Sequence, residues 1–230
     1  MGGVLRKLGP GLWVAESNMR NGPFEFGLRM SVIQLRNGSL VLHSPVRLVR
    51  ELRAELDALG PVRGVIAPSR AHHLFAGDYP TGYPDALLYA APGLPEKRPD
   101  LKFAEELGDE APLLWRSELE QVVFRGAPIM NEVVFFHPAS RTVLFTDLVF
   151  NLPKGAGEGA SRLFFWLVGA GGHFGPHRLI RHLFIRDRAA ARESMTRILS
   201  WDFDRVSLTH GAVLEHGGHE AVRKAFEFLG

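Results

Sequence analysis

The chain has 230 residues, 46% of them hydrophobic and 23% charged, with 27 Lys and Arg against 25 Asp and Glu. This is ordinary globular composition, and no Lys/Arg run of the nucleic-acid-binding type appears, although the pI is 9.1. Without cysteine there is no disulfide, thiolate metal site or cysteine nucleophile, which fits a reducing compartment.

No long linker, charge block or internal repeat divides the chain, so a single domain over residues 1–230 is expected, with Pro153–Ser161 as the one loop-like candidate for a boundary. The start, MGGVLRKLGPGLWVAE, lacks the apolar core of a secretion signal, and a cytoplasmic location is expected. The longest apolar run, around Leu163–Ala170, falls far short of the ~20 residues that span a bilayer. It reads as a buried helix; an apolar lid or partner surface is the alternative.

Leu12–Glu16 and Arg29–Leu35 read as strands, and Asn37-Gly38 is a hairpin turn leading into the strand Ser39–His43. Leu48, Leu52, Leu56 and Leu59 fall on one face of a helix over Arg47–Leu59, which Gly60-Pro61 stops. A short apolar strand, Arg63–Ala67, then breaks at Pro68 and presents Ser69, Arg70, His72 and His73. Ala86–Ala91 is a further strand, and Pro92–Asp100 is too rich in Pro and charge for regular structure. Leu119–Arg125 reads as a strand, and Glu132–His137 and Thr142–Asp147 as a hairpin around Pro138–Arg141, with His137 facing solvent. Ser161–Val168 and Asp187–Trp201 read as helices, the second with Asp187 as N-cap; Arg205–His210 is a last strand and Glu220–Leu229 a last helix. Helices flanking a central all-β block predict two sheets with helices outside them, a four-layer α/β (αββα) sandwich.

The ends of the apolar strands carry the chemistry. They lead to His43, to His72 and His73, to Asp147, and to His210 followed by Gly211. Ligands of α/β proteins bind outside the carboxyl ends of strands, and imidazoles with a carboxylate converging there would form a nitrogen/oxygen metal site. Each residue also has a plainer reading, as a hydrogen-bonded or surface histidine, or an aspartate forming a turn. No nucleophile elbow, phosphate loop or dinucleotide fingerprint is present. His173, His177 and His182 lie in a Gly-rich basic stretch without metal-ligand spacing and suit a mobile loop. His216 and His219 suit capping of the final helix, and Lys97-Arg98 a solvated pair.

Strand-end segments in this order resemble the metallo-β-lactamase superfamily, and the HHLF, KRPD, NEVVFFH, TDLVFN and WDFDRV segments resemble an uncharacterised branch of it. The resemblance covers nearly the whole chain and implies a metallo-β-lactamase-like αββα fold. The superfamily's H-x-H-x-D-H loop falls on Pro68–His73, where only His73 is kept and His72 stands at the aspartate. Pro68 and Arg70 replace two ligand histidines, and no histidine precedes Asn131-Glu132. The bridging aspartate matches Asp147, and the last histidine matches His210 of THG.

The resemblance therefore implies one metal on His72, His73, Asp147 and His210, with Zn²⁺ first and Fe(II) or Mn(II) open. If all four ligate tetrahedrally, no position is left for water, unless His72 is displaced. His43 would orient a ligand imidazole, Arg70 would bind a substrate carboxylate or phosphate, and Asn131, Glu132 and Asn151 would contribute polar contacts at the mouth. The expected function is a metal-dependent hydrolase acting on a small ester, amide, lactone or phosphoester. A metal-free binding module and a mononuclear iron redox protein are the alternatives. Neither a nucleic-acid partner nor a membrane span is expected, and the oligomeric state is open.

Overall fold

The computed structural model describes residues 4–230, and of Asn21 only the backbone. Strands β1 (Leu5–Gly9), β2 (Leu12–Asn21), β3 (Phe24–Gln34) and β4 (Leu40–His43) form an antiparallel series. Helix α1 (Arg50–Leu59) buries Leu52 and Leu56 and returns the chain to β5 (Val62–Ala67), parallel to β4. The short helix α2 (Tyr79–Gly82) precedes β6 (Leu87–Ala90); α3 (Leu94–Lys97) precedes β7 (Glu105–Glu106), which completes a seven-stranded sheet in sequential order.

The second sheet contains β8 (Glu120–Val123), β9 (Val133–His137), β10 (Thr142–Phe145) and, after the small ladder β11 (Phe150–Asn151)–β12 (Phe174–Gly175), β13 (Arg205–Leu208), in the order β13-β10-β9-β8. Helices α4 (Gly159–Val168), α5 (Arg188–Leu199) and α6 (Gly218–Ala225) complete the chain. Leu12, Ile33, Val41 and Ile66 of the first sheet meet Val133, Phe135 and Leu144 of the second in a dry layer around Trp115. α1 packs under the outer face of the first sheet, and residues of α4, α5 and α6 join the outer core of the second. This is a four-layer αββα sandwich, as expected from two amphipathic sheets with helices left to cover their outer faces.

Several local expectations change. The β2–β3 hairpin runs on through Asn18–Gly27, beyond the expected strands: Phe24 and Phe26 alternate with polar residues there, and the ladder continues that of Leu12–Glu16. α3 forms inside the Pro-rich Pro92–Asp100 segment, with Pro95 in its first turn, where a missing N–H costs nothing. His137 is buried, its Nδ1 2.7 Å from Ser140 Oγ and its ring covered by the β1–β2 turn at Gly11. α4 buries Ser161, Phe165 and Val168 but leaves Leu163, Trp166 and Leu167 exposed. Gly217 is the N-cap residue of α6, while His216 pairs with Asp204 at 2.9 Å and His219 Nε2 donates to the Leu199 carbonyl at 2.8 Å. Arg98 pairs with Asp100, and Lys97 Nζ donates to the Arg70 carbonyl at 2.6 Å. Asp187 does cap α5, its Oδ1 accepting from the Ala189 and Ala190 amides.

Candidate functional site

Two backbone features carry distant residues to one place. β10 and β13 run parallel with Phe145 opposite Leu208, so the residues that follow, Thr146-Asp147 and Thr209-His210, leave the sheet side by side. On the other sheet, the loop after β5 is tied across the gap: Pro68 O accepts from Val133 N at 2.8 Å, and Arg70 N donates to Met130 O at 2.9 Å. Gly211 holds its turn at φ 106° against the Asn151 carbonyl, where any Cβ would collide.

These connections bring His72, Asp147 and His210 together, with one ligand atom from each within 4.8 Å of the others. His72 Nε2 lies 3.0 Å and His210 Nε2 3.5 Å from the same oxygen, Asp147 Oδ1. His210 Nδ1–H donates to the Gly27 carbonyl at 2.9 Å, which turns Nε2 towards Asp147. Its ring stacks on Phe150, centroids 5.0 Å apart. His72 Nδ1 lies 3.1 Å from Ser44 Oγ, which also lies 3.4 Å from Thr209 Oγ1 and so spans both sheets.

Asp147 is held from two sides. Ser69 Oγ donates to its Oδ2 at 3.1 Å and accepts from the Ala71 and His72 amides, a local turn that also orients the histidine loop. Beneath it, fully buried Glu132 accepts from the amides of Thr146, Asp147 and Leu148 at 2.6, 2.8 and 2.9 Å. Burial and the charge of Asp147 push the Glu132 carboxyl up to about 7. For Asp147, burial acts upward, but the His72 charge and the hydrogen bonds from both imidazoles outweigh it and hold the carboxyl well below its usual range. His72 is the converse: burial acts downward, and Asp147 outweighs it and raises the imidazole.

The other expected residues stand apart from this cluster. His73 also lines the cavity beside it, but its Nδ1 accepts from Arg98 Nη1 at 3.0 Å, which puts the proton on Nε2 and leaves neither ring nitrogen a free lone pair. Burial, Lys97 and Arg98 push this imidazole down to about 4. Arg70 turns away, its Nη1 donating to the Pro128 carbonyl at 3.3 Å. Asn131 takes a left-handed turn conformation, φ 44°, and donates to the Pro92 carbonyl at 2.9 Å. Asn151 donates to the Ala212 carbonyl. His43 is buried against Phe135, its Nε2 without a partner among the described residues, and burial with the neighbouring His72 pushes it down to about 3.

Sequence reasoning passed over Ser44 and Thr209, presented Ser69 in the loop after the strand without a role, and set His177 in a mobile loop, whereas it is buried. Ser69 carried a signal, a serine opening a turn just after a strand. His177 carried none: it is buried 4.9 Å from the Phe150 ring whose neighbour is His210, and burial holds it neutral, down to about 4.

A family model described as a domain of unknown function, DUF4336, matches residues 11–162. The chain belongs to this family. Residues 11–162 supply His72 and Asp147, whereas His210 lies beyond the DUF4336 match. No curated protein matches in sequence.

Solved structures resemble this DUF4336 chain in fold. DIM-1 metallo-β-lactamase exposed to ceftazidime superposes with a TM-score of 0.67 at 14% identity, over 98% of this chain and 97% of that one. A metallo-β-lactamase from Hirschia baltica gives 0.64 at 12%, over 98% and 94%. The metal-soaked Flv1 flavodiiron core from Synechocystis sp. gives 0.68 at 12%, over 98% and 60%. The fold is the metallo-β-lactamase fold.

Proposed function

We propose that this protein is a hydrolase with a single divalent metal, Zn²⁺ first, held by His72 Nε2, His210 Nε2 and Asp147 Oδ1. The observation that carries the reading is the convergence of two imidazole nitrogens on one carboxylate oxygen at the floor of a cavity. The donor set fits the group: two histidines and a carboxylate with their supporting hydrogen bonds are a known catalytic zinc arrangement. With His73 committed to Arg98, three protein donors leave a coordination position for water, which a four-residue tetrahedral set would not.

Bound there, the metal would lower the pKa of water towards ~7 and polarise a carbonyl or phosphoryl group. The chain's own part is to hold the donors. Gly27 and Ser44 fix the two rings, Ser69 and Glu132 fix the carboxylate, and the proton on His72 Nε2 must leave before the nitrogen can ligate. The two-histidine, one-carboxylate set also favours a second reading, mononuclear Fe(II) redox chemistry.

Elemental analysis of the full chain after supplementation with Zn, Mn or Fe tests the proposal. About one metal per chain is expected, together with ester, lactone or phosphodiester turnover that chelators remove. An iron spin-resonance signal with no such turnover would favour the redox reading. No bound metal under any supplementation would overturn both and favour a ligand- or partner-binding role.

A further inference from the structure

The cavity beside the three donors is small and apolar. It measures about 250 Å³ and is open to solvent, and His72, Asp147 and His210 are in its lining. Met19, Phe26 and Leu28 form a wall: Met19 stands opposite Phe26 in the β2–β3 ladder and Leu28 follows two residues on, so all three share one face of the hairpin. Leu74 and Phe75 also line the cavity.

Among the described residues, no Lys or Arg lines this space. The cations around it are committed elsewhere: Arg29 to Glu16 at 2.9 Å, Arg98 to Asp100 at 2.7 Å, and Arg70 to the Pro128 carbonyl. Arg47 lies 5.2 Å from the centroid of the Phe75 ring and does not line the cavity. A carboxylate or phosphate on the end of a substrate that lies against this wall, away from the metal-ligating atoms, would give up its water with no side-chain cation to receive it.

We infer that the site takes a small uncharged ester with an apolar acyl group, which lies against Met19, Phe26 and Leu28. The volume falls below the ~300–1,000 Å³ of sites that take drug-sized ligands, so a short acyl chain is what fits. The reaction class rests on the hydrolase reading above; the substrate class rests on the cavity. In hydrolysis the water oxygen forms a bond to the acyl carbon, the acyl C–O bond breaks, and the leaving oxygen departs as an alcohol with a proton from that water. The acid product ionises.

Two matched pairs of probes separate the two levels. Binding of neutral N-phenylbutyramide and anionic N-phenylsuccinamic acid to the metal-free full chain is followed by the NMR shift of the Leu28 amide. Turnover of 4-nitrophenyl butyrate and 4-nitrophenyl hemisuccinate is followed in the metal-loaded protein. The neutral member of each pair is expected to lead by on the order of tenfold or more, a factor that ~1.4 kcal/mol supplies. Leu28→Arg is expected to reverse the binding preference, with Met19→Lys as the second variant should the first fail to fold. Neutral binding without turnover would leave the cavity assignment standing and sink the hydrolase reading. Equal or tighter binding of the anionic amide, or no binding of the neutral one, would overturn the inference whatever the turnover.

Discussion

The loop after β5 has two halves, two residues apart, and they do opposite things. At Arg70 the polar groups are taken up by neighbouring loops: its amide donates to Met130, its carbonyl accepts from Lys97, its guanidinium donates to the Pro128 carbonyl, and Asn131 closes the corner through Pro92. At His72 the side chain points across the gap between the sheets, to Ser44 and Asp147. The first half offers no group able to hold a cation; the second offers a nitrogen beside a carboxylate. A rigid, backbone-anchored corner is what lets the next residues keep a fixed direction.

The sharpest way to break this contrast is Asp147→Ala, which removes the shared oxygen. Loss of metal to the level of the background is expected by elemental analysis, while Arg70→Ala and His73→Ala retain about one metal per chain. Next in size is Glu132→Gln. The amide nitrogen cannot accept, so at least one buried N–H of Thr146–Leu148 loses its partner, at a cost of ~1–3 kcal/mol. For a chain of this length that is ~2–4 °C of Tm per kcal/mol, read by calorimetry.

Ser69→Ala leaves the donor atoms in place but frees Asp147 and the loop, and a ~10–100-fold weaker metal affinity is expected in a chelator competition titration. His43 gives a pH signature. It is neutral in the fold down to about 3 and takes a proton near 6.5 when unfolded, so the unfolded state binds more protons between those values. Stability therefore falls as pH falls through that window, by ~1.4 kcal/mol per pH unit from this group. His43→Gln lacks this contribution, and the wild-type-minus-variant difference in denaturant unfolding free energy should fall with that slope as pH is lowered. The smallest effect is that of Arg70→Ala on stability, expected within ~1 kcal/mol because its one side-chain hydrogen bond among the described residues is long, 3.3 Å.

Much of the scaffold was legible because its signals are local. The leucine spacing of α1, the Asn37-Gly38 turn, the β9–β10 hairpin and the Asp187 cap each depend on residues within a few positions of one another. The outer half of the β2–β3 hairpin was missed although Phe24, Phe26 and Leu28 alternate there, because the mostly polar Ser17–Asn21 and the Gly22-Pro23 turn interrupt the apolar pattern. That same half brings Met19 and Phe26 to the cavity. His137 was misread because the group that covers it, the Gly11 turn, lies at the other end of the chain.

By itself the sequence determined that apolar strands end in imidazoles and a carboxylate, and that two sheets with outer helices would carry them. The tertiary structure alone decided which of those side chains meet. Asp147 and His210 adjoin through the parallel register of β10 and β13, and His72 rather than His73 joins them because Arg98, 25 residues further on, takes the lone pair of His73 Nδ1. Adjacent histidines read alike in a sequence; a ring's direction and its tautomer are set by partners that only the folded chain brings within reach.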